Sequence, residues 1–368
     1  MTTMTVLSAD KVVTPGGILE PGWVGVEDGR ITHVEQGRPE RADRHAHVIV
    51  PGFVDIHCHG GGGASFDSAD PDECVRAAAF HLEHGTTTLV ASLVTASPAE
   101  LERRASVLAE LADDGVLAGI HYEGPFLSVA RKGAHDPTLL RDPDPATVER
   151  LLKVPNVRMM TLAPELDGGL DAVRRVRDAG VVPAVGHTDA TYEVAVEATR
   201  AGARVATHLF NGMRPLHHRE PGPILALLEA PEVVVELVGD GVHLHPAIVA
   251  HVARVAGGAR TALVTDSIAA AGMSDGEYTL GGLDVEVRDG VARLAEGGSI
   301  AGSTATTAAI FRQTVRASGV ALEEAVRLAS TTPATLLGLT DRGAIAPGLR
   351  ADLVLLDTDL RVQSVVTA

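Results

Sequence analysis

Strand-like and helix-like segments alternate through the middle of this 368-residue chain. The predicted strands are apolar stretches rich in β-branched residues, at 48–57, 86–92, 116–123, 157–164, 181–187, 204–208, 233–240 and 261–266. The predicted helices are amphipathic and mostly begin near a proline and end before a glycine, at 71–84, 98–113, 145–152, 170–179, 192–201, 223–229 and 246–256. Eight strands alternating with helices predict an α/β fold, a (β/α)8 TIM-like barrel. An open doubly wound sheet is the alternative, but no Gly-x-Gly-x-x-Gly turn supports it.

Both ends of the chain carry short strand-like pieces separated by Gly, Pro and Asp turns. They are at 5–8, 23–27, 30–34, 351–357 and 361–366. Because so small a β-layer cannot bury much by itself, we expect the two ends to pair. Residues 1–48 and 341–368 would then form one small β-sandwich, and residues 49–340 the barrel. A Gly-rich stretch near 277–302 predicts a β-hairpin insertion after the eighth barrel strand.

A histidine pair closes the first predicted barrel strand. His57 and His59 follow an apolar run and precede four glycines, residues 60–63. Successive side chains on a strand point to opposite faces, so this spacing puts both imidazoles on one side, where they can converge on one ion. The glycines leave room for a substrate. A buried histidine pair is the alternative interpretation of the motif taken alone.

Several other predicted strands also end on an imidazole or a carboxylate. The residues at these ends, including one just past the seventh strand, are His57, His59, Glu123, His187, His208, His243 and Asp266. In barrels of this kind the active site lies at the carboxyl ends of the strands. A lone histidine on a strand is usually a core residue. Imidazole or carboxylate groups at the same end of so many strands indicate a metal site instead. Nitrogen and carboxylate ligands suit a divalent ion of the Zn, Fe, Mn or Co type.

Net charge and cysteine content argue against several classes of protein. The formal net charge of −17 argues against a general nucleic-acid or anionic-membrane surface, and no stretch approaches 18 uncharged apolar residues. Cys58 and Cys74 are too few for a disulfide framework. We therefore expect a cytoplasmic protein that binds a small molecule, with no nucleic-acid or membrane partner. An anionic substrate would need a local cluster of cationic groups.

Eight short motifs occur in a fixed order along the chain. They are Pro-Gly-Phe-Val-Asp-Ile-His-Cys-His-Gly from Pro51, His-Tyr-Glu-Gly-Pro-Phe from His121, Gly-Ala-His-Asp-Pro from Gly133, Gly-His-Thr from Gly186, Thr-His-Leu-Phe-Asn-Gly-Met from Thr207, Arg-Glu-Pro-Gly from Arg219, Gly-Asp-Gly-Val-His from Gly239 and Val-Thr-Asp from Val264. A single H-x-H is weak evidence, whereas the ordered set is specific. The set resembles the amidohydrolase superfamily and, within it, the N-acetylglucosamine-6-phosphate deacetylase family over nearly the whole chain.

The resemblance implies a metal centre. Glu123, His187 and His208 match the ligands that all members of the family use. His57 and His59 match positions that vary, and members with histidine there can bind a second metal. We expect a divalent ion, zinc first, with iron, manganese or cobalt as alternatives. A second ion at His57 and His59 is compatible with the sequence, which does not establish that it is bound.

The resemblance also implies catalytic and substrate-binding roles. Asp266 matches the catalytic acid/base, and His135 matches a residue that contacts the substrate beside the scissile acetamide. Arg219 offers a bidentate fork for phosphate, and in the family this arginine comes from the neighbouring subunit of a homodimer. A surface ion pair between Arg219 and Glu220 is the alternative. The other matches to the substrate pocket are Ala134, Asn211, Gly212, His243, Ile300, Ala301 and Gly302.

The expected activity is metal-dependent hydrolysis of the acetamide of N-acetyl-D-glucosamine 6-phosphate, giving D-glucosamine 6-phosphate and acetate in amino-sugar catabolism or recycling. N-acetylgalactosamine 6-phosphate, which differs at one hydroxyl, or another N-acyl compound is the alternative substrate. A dihydroorotase or hydantoinase would use a carboxylated lysine from a middle strand, where this chain has Glu123. A non-enzymatic scaffold would be expected to have lost the ligands that this chain keeps.

Overall fold

Eight parallel strands form a barrel in the computed structural model, which describes residues 4–368. Each strand is hydrogen-bonded to the barrel strand that follows it in the chain, from the first to the eighth. They are Phe53–Cys58, Thr86–Val94, Gly119–Glu123, Val157–Leu162, Val182–Val185, Val205–Ala206, Val234–Leu237 and Thr261–Leu263. The predicted (β/α)8 TIM-like fold is therefore confirmed.

Hydrogen bonds from the segment after the eighth strand close the barrel. Cys58 pairs with Ser267 in a parallel bridge, and Asp266 donates its backbone N–H to the carbonyl of His57 at 2.8 Å. Beneath this seam Asp55 accepts three hydrogen bonds, from the backbone N–H of His57 and from the N–H and hydroxyl of Thr265. The closing contacts thus lie directly below the carboxyl end of the barrel.

Helices cover the outside of the barrel and pack their apolar faces against it. They are Pro71–Glu83, Pro98–Asp113, Pro145–Leu152, Gly169–Asp178, Tyr192–Ala201, Gly222–Glu229, Pro246–Ala256, Thr307–Arg316, Leu322–Val326 and Thr332–Leu336, with a π-helical turn at Arg327–Thr331 and 3-10 turns at Val129–Arg131 and Gly258–Arg260. Side chains of Asp70, Ser97, Asp144 and Thr191 cap four of the first five helices by accepting a backbone N–H of the first turn. Within residues 4–368 no helix combines the length and apolar character needed to cross a bilayer.

Strands from both chain ends form a second, seven-stranded sheet. They are Thr5–Thr14, Gly17–Leu19, Gly22–Glu27, Arg30–Gln36, Arg44–Pro51, Leu353–Leu356 and Val362–Val366. Arg30 bridges to Arg350, and the apolar side chains of this sheet form a core of their own, so the two chain ends make up one small β unit. Residues 1–3 of the predicted terminal unit lie outside the described part of the chain.

The predicted strand at 48–57 is two strands, and this expectation was wrong. Arg44–Pro51 belongs to the terminal sheet, and Phe53–Cys58 is the first barrel strand. The chain crosses between the sheets at Gly52, where a Cβ atom would lie 2.0 Å from the hydroxyl of Thr87. Because residues on both sides of this crossing are apolar and buried, hydrophobic pattern alone does not reveal it.

The insertion after the eighth strand has three antiparallel strands instead of the two of the predicted hairpin. They are Gly276–Leu280, Leu283–Arg288 and Val291–Leu294. Its apolar side chains form a separate small core with Val94 and Ile268, which lie at the carboxyl end of the barrel. The insertion therefore covers the end of the barrel that carries the histidines.

Removal of the Asp55 side chain should destabilise the barrel strongly. Asp55→Ala leaves two buried N–H donors and one hydroxyl without their acceptor, so we expect the free energy of unfolding to fall by roughly 2–4 kcal/mol in urea unfolding. Asp10→Ala is the matched control, because Asp10 pairs with His47 at a half-exposed place on the terminal sheet. The control should change stability by less than about 1 kcal/mol. Equal effects of the two changes would contradict the closing role of Asp55.

Candidate active site

Glu123 lies at the centre of a ring of imidazoles. Its Oε1 atom is 2.9 Å from His208 Nε2, 3.2 Å from His187 Nε2 and 3.4 Å from His57 Nε2, and its Oε2 atom is 3.2 Å from His59 Nε2. All five side chains are buried. The Nε2 atoms also face one another, 3.1 Å apart between His187 and His208 and 3.2 Å apart between His57 and His59. The structure therefore brings together all five residues that the sequence predicted as metal ligands.

The other ring nitrogens of two of these histidines fix which atom faces the cluster. His59 Nδ1 lies 3.1 Å from the carbonyl oxygen of Ser92, and His187 Nδ1 lies 2.8 Å from that of Arg131. A carbonyl oxygen only accepts, so each Nδ1 atom donates, and in the neutral ring each Nε2 atom turns a lone pair toward Glu123. This is the arrangement that metal-binding histidines show.

The charge balance of the cluster favours a cation. Burial alone would lower the pKa of His57, but Glu123, Glu236 and Asp266 outweigh it and hold that pKa well above its usual range. Burial alone would raise the pKa of Glu123, yet the surrounding histidines hold it well below its usual range. A place that stabilises positive charge and presents Nε2 lone pairs and carboxylate oxygens fits a divalent metal ion.

Three of the predicted site residues lie just beyond the strands that carry them. His187, His208 and Asp266 have φ values of 46°, 30° and 48°, in the left-handed region that non-glycine residues rarely adopt. Extended pairing cannot continue through such a conformation, so each strand ends before the residue that the sequence analysis placed within it. Backbone strain of this kind is often found at functional sites.

Asp266 and His135 extend the cluster toward the open side. Asp266 Oδ1 is 3.3 Å from His59 Nε2 and 3.5 Å from His57 Nε2. His135 Nδ1 faces Thr95, whose hydroxyl lies 2.9 Å away and whose backbone N–H lies 3.4 Å away, and His135 Nε2 lies 3.5 Å from Glu123 Oε2. Burial, and secondarily His187, lower the pKa of His135 to about 4. His135 is thus neutral, and a neutral imidazole has one ring N–H that can donate a hydrogen bond to a substrate.

A cavity of about 300 Å³ opens above the cluster. The predicted site residues that line it are His59, Glu123, Ala134, His135, His187, His208, Asn211, Gly212, His243, Asp266, Ile300 and Gly302. His57 lies beneath His59 and is fully buried. Ala301 does not line the cavity, because its side chain is buried in the core of the insertion and its N–H donates to Ala292. Leu280 and Ser299 of the insertion also line the cavity, and sequence reasoning missed them.

The predicted phosphate-binding residues are separated in the single chain. His243 lines the cavity and its Nδ1 atom pairs with Asp240 Oδ2 at 2.8 Å. Burial would lower the pKa of His243, but the hydrogen bond to Asp240 raises it above its usual value. Arg219 is exposed, does not line the cavity, and contacts His218 Nε2 at 2.8 Å. None of the described residues that line the cavity is lysine or arginine.

Sequence reasoning also missed Glu236, on the seventh barrel strand. Its Oε2 atom lies 3.1 Å from His57 Nδ1, and the residue is fully buried. The only available signal was a single acidic residue within the apolar run Val233–Val238, read as VVVELV.

The family comparison agrees with this geometry. Residues 48–368 match the Amidohydrolase family, a span that includes the barrel and every residue of the cluster. The chain belongs to the amidohydrolase family. Three similar amidohydrolases have nearly the same length. N-acetylgalactosamine-6-phosphate deacetylase of Escherichia coli O157:H7 is 36% identical over 367 residues, covering 98% of this chain and 97% of its own. N-acetylglucosamine-6-phosphate deacetylase of Danio rerio is 37% identical, and the match covers 98% of this chain and 91% of that protein.

A solved structure gives the third comparison. A mutant N-acetyl-D-glucosamine-6-phosphate deacetylase from Mycobacterium smegmatis, in complex with N-acetyl-D-glucosamine-6-phosphate, superposes with a TM-score of 0.96 at 50% identity. The match covers 99% of this amidohydrolase and 98% of that chain.

Loss of the central carboxylate should abolish metal binding. We expect the purified protein to retain divalent metal, and Glu123→Ala to weaken that binding roughly 100-fold or more because one ligand contacts every imidazole of the cluster. Elemental analysis after dialysis against a weak chelator measures the loss. His251→Ala, which changes an exposed histidine on an outer helix, should keep the metal content of the unmodified chain. An unchanged metal content in Glu123→Ala would contradict the assignment.

Proposed function

We propose that this amidohydrolase removes the acetyl group of N-acetyl-D-glucosamine 6-phosphate, giving D-glucosamine 6-phosphate and acetate. The observation that carries the proposal is the buried ring of histidines around Glu123, with Asp266 and a neutral His135 at the floor of one cavity. Full-length similarity to named amino-sugar deacetylases supports the same reaction. The similarity to an N-acetylgalactosamine-6-phosphate deacetylase makes that sugar the second candidate substrate.

Glu123, His187 and His208 would hold the metal ion, and His57 with His59 would hold a second one. A divalent ion held there polarises a carbonyl and acidifies water, and the nitrogen and oxygen ligand set is compatible with zinc. Asp266 lies beside these histidines at the cavity wall. Its carboxylate takes a proton from the water that attacks the acetyl carbon.

The two remaining steps use protons that the chain itself positions. His135 Nε2 donates a hydrogen bond to the acetyl oxygen as negative charge develops on it. When the bond between carbonyl carbon and nitrogen breaks, Asp266 gives the proton it took from water to the leaving amine. The products are the free amine and acetic acid, which ionises to acetate by releasing one proton to water, so atoms and protons balance.

The phosphate is proposed to bind at the far side of the cavity. His243, whose pKa Asp240 raises, supplies one donor there, and Asn211 and Gly212 line the adjacent wall. Arg219 is exposed in the single chain, so we propose that it completes the site of a second copy in a homodimer. The two free, buried cysteines are compatible with a reducing, cytoplasmic location.

Acetate release tests the reaction and its acid/base together. We expect turnover of N-acetylglucosamine 6-phosphate, and a loss of roughly 10²–10⁴-fold in kcat for Asp266→Asn, because the amide cannot accept the proton. Metal content is measured on the same samples. A preparation that lacks metal and shows no activity is reloaded with metal and assayed again before the result is interpreted.

Two parallel substrates serve as controls. The unphosphorylated sugar should react poorly, because it lacks the group that His243 and Arg219 would bind. N-acetylgalactosamine 6-phosphate decides between the two candidate sugars. Absence of acetate from both sugar phosphates, with metal bound, would overturn the proposed function.

A complementation experiment tests the shared site. Arg219→Ala should raise KM for the phosphorylated substrate roughly 10- to 100-fold, because a charged hydrogen bond to phosphate is lost. Co-expressed with Asp266→Asn, it should form mixed dimers in which one site is intact, and activity should recover to about a quarter of the normal value. Activity no higher than the mean of the separate variants would show that Arg219 acts within its own chain or not at all.

A further inference from the structure

The buried side chain of Glu236 contacts two histidines of the cluster, His57 and His208. Glu236 Oε2 lies 3.1 Å from His57 Nδ1 and accepts the backbone N–H of His208 at 3.0 Å. The residue is fully buried, and its Oε1 atom has no hydrogen-bond partner among the described residues. Burial of a partly unpaired carboxylate costs free energy, so this acid calls for an explanation other than packing.

The contact with His57 sets the direction of that ring. A carboxylate oxygen accepts, so His57 Nδ1 donates, and in the neutral ring that binds a metal Nε2 turns its lone pair toward Glu123 and Asp266, at 3.4 and 3.5 Å. Among the described residues, Glu236 provides the only hydrogen bond to His57 Nδ1. His59 and His187 have backbone carbonyls in the same role, whereas His57 depends on a side chain that mutation can change.

The contact with His208 fixes a strained backbone. His208 has a φ value of 30°, and its Nε2 atom lies 2.9 Å from Glu123 Oε1. Its own N–H group follows the end of the sixth strand and is satisfied by the Glu236 side chain. The same oxygen therefore holds one histidine by its ring and another by its main chain.

We propose that Glu236 is a positioning residue that orients His57 and His208 toward one metal centre, and that binding of a second ion at His57 and His59 depends on it. The inference rests on the proposed function in that it assigns a metal to the cluster. Glu236 itself does not line the cavity, so it acts through the two histidines.

Two substitutions at this position separate hydrogen bonding from packing. Glu236→Gln keeps a hydrogen-bond acceptor. The amide oxygen can accept from both donors, His57 Nδ1 and the His208 backbone N–H, and the opposite orientation is disfavoured because the NH₂ group would repel them. Glu236→Leu removes the acceptor. Leu237→Ala is the matched control: it removes a fully buried side chain of the same strand that packs in the main apolar core and makes no hydrogen bond to the cluster.

The measurement is cobalt binding to the full chain after removal of metal with a chelator. Co²⁺ is titrated into each protein and followed by its visible absorption, with bound cobalt counted by elemental analysis and the unfolding temperature recorded. We expect two ions per chain in the unmodified protein, and two in Glu236→Gln with affinities within about threefold. In Glu236→Leu the second ion should bind roughly 10- to 100-fold more weakly. Leu237→Ala should lower the unfolding temperature and leave cobalt binding unchanged.

Three results would overturn the inference. One is a Glu236→Leu protein that binds cobalt like the unmodified chain, another is a Glu236→Gln protein that loses as much affinity as Glu236→Leu, and the third is uptake of a single ion by the unmodified protein. Acetate release, measured on the same samples, is judged separately. Missing activity with two ions bound would count against the substrate and leave the role of Glu236 standing.

Discussion

The burial of the Glu123 carboxylate at the carboxyl end of the barrel is the constraint on which the rest of the site depends. A charged carboxylate removed from water needs strong compensation. Here it faces the Nε2 atoms of four histidines between 2.9 and 3.4 Å away. Imidazoles this close to one another, with lone pairs turned inward, repel unless a cation or protons lie between them. A metal ion resolves both problems at once, which is why the fold can tolerate so much buried polarity in one place.

The surrounding backbone is shaped to keep those rings in position. Gly133 and Gly212 lie so close to His187 that a Cβ atom on either would come within 2.9 Å of its ring. Both glycines have positive φ values, of 54° and 59°. A side chain on either glycine would collide with the imidazole, so the two loops can pass His187 this closely only because they carry glycine there. The cost in strain is local, and the hydrogen bonds of the adjoining strands offset it.

Much of the fold and the cluster could be predicted because both follow from local pattern. The alternation of strands and helices predicted the barrel, and the polar residues at the predicted strand ends predicted the members of the cluster. The errors have a common cause, since each depends on contacts between distant parts of the chain. The crossing at Gly52 is set by the packing of Thr87 against it, and the insertion is held over the barrel by apolar contacts with Val94 and Ile268. Glu236 is joined to His57 across 179 residues of sequence, because the barrel brings the first and seventh strands to the same centre.

Closure of the barrel and assembly of the site share the same hydrogen bonds. Asp266 donates its backbone N–H to the carbonyl of His57, and His59 donates its own to the carbonyl of Ser267, both at 2.8 Å. These bonds set the register between the first strand and the segment after the eighth. That register also places the Asp266 carboxylate within 3.5 Å of both histidines. A shift of one residue would open the seam and, because side chains alternate, would also turn the carboxylate away from the cluster. Stability of the seam and the geometry of the cluster are therefore coupled, since the barrel cannot close in another register and keep the Asp266 carboxylate beside His57 and His59.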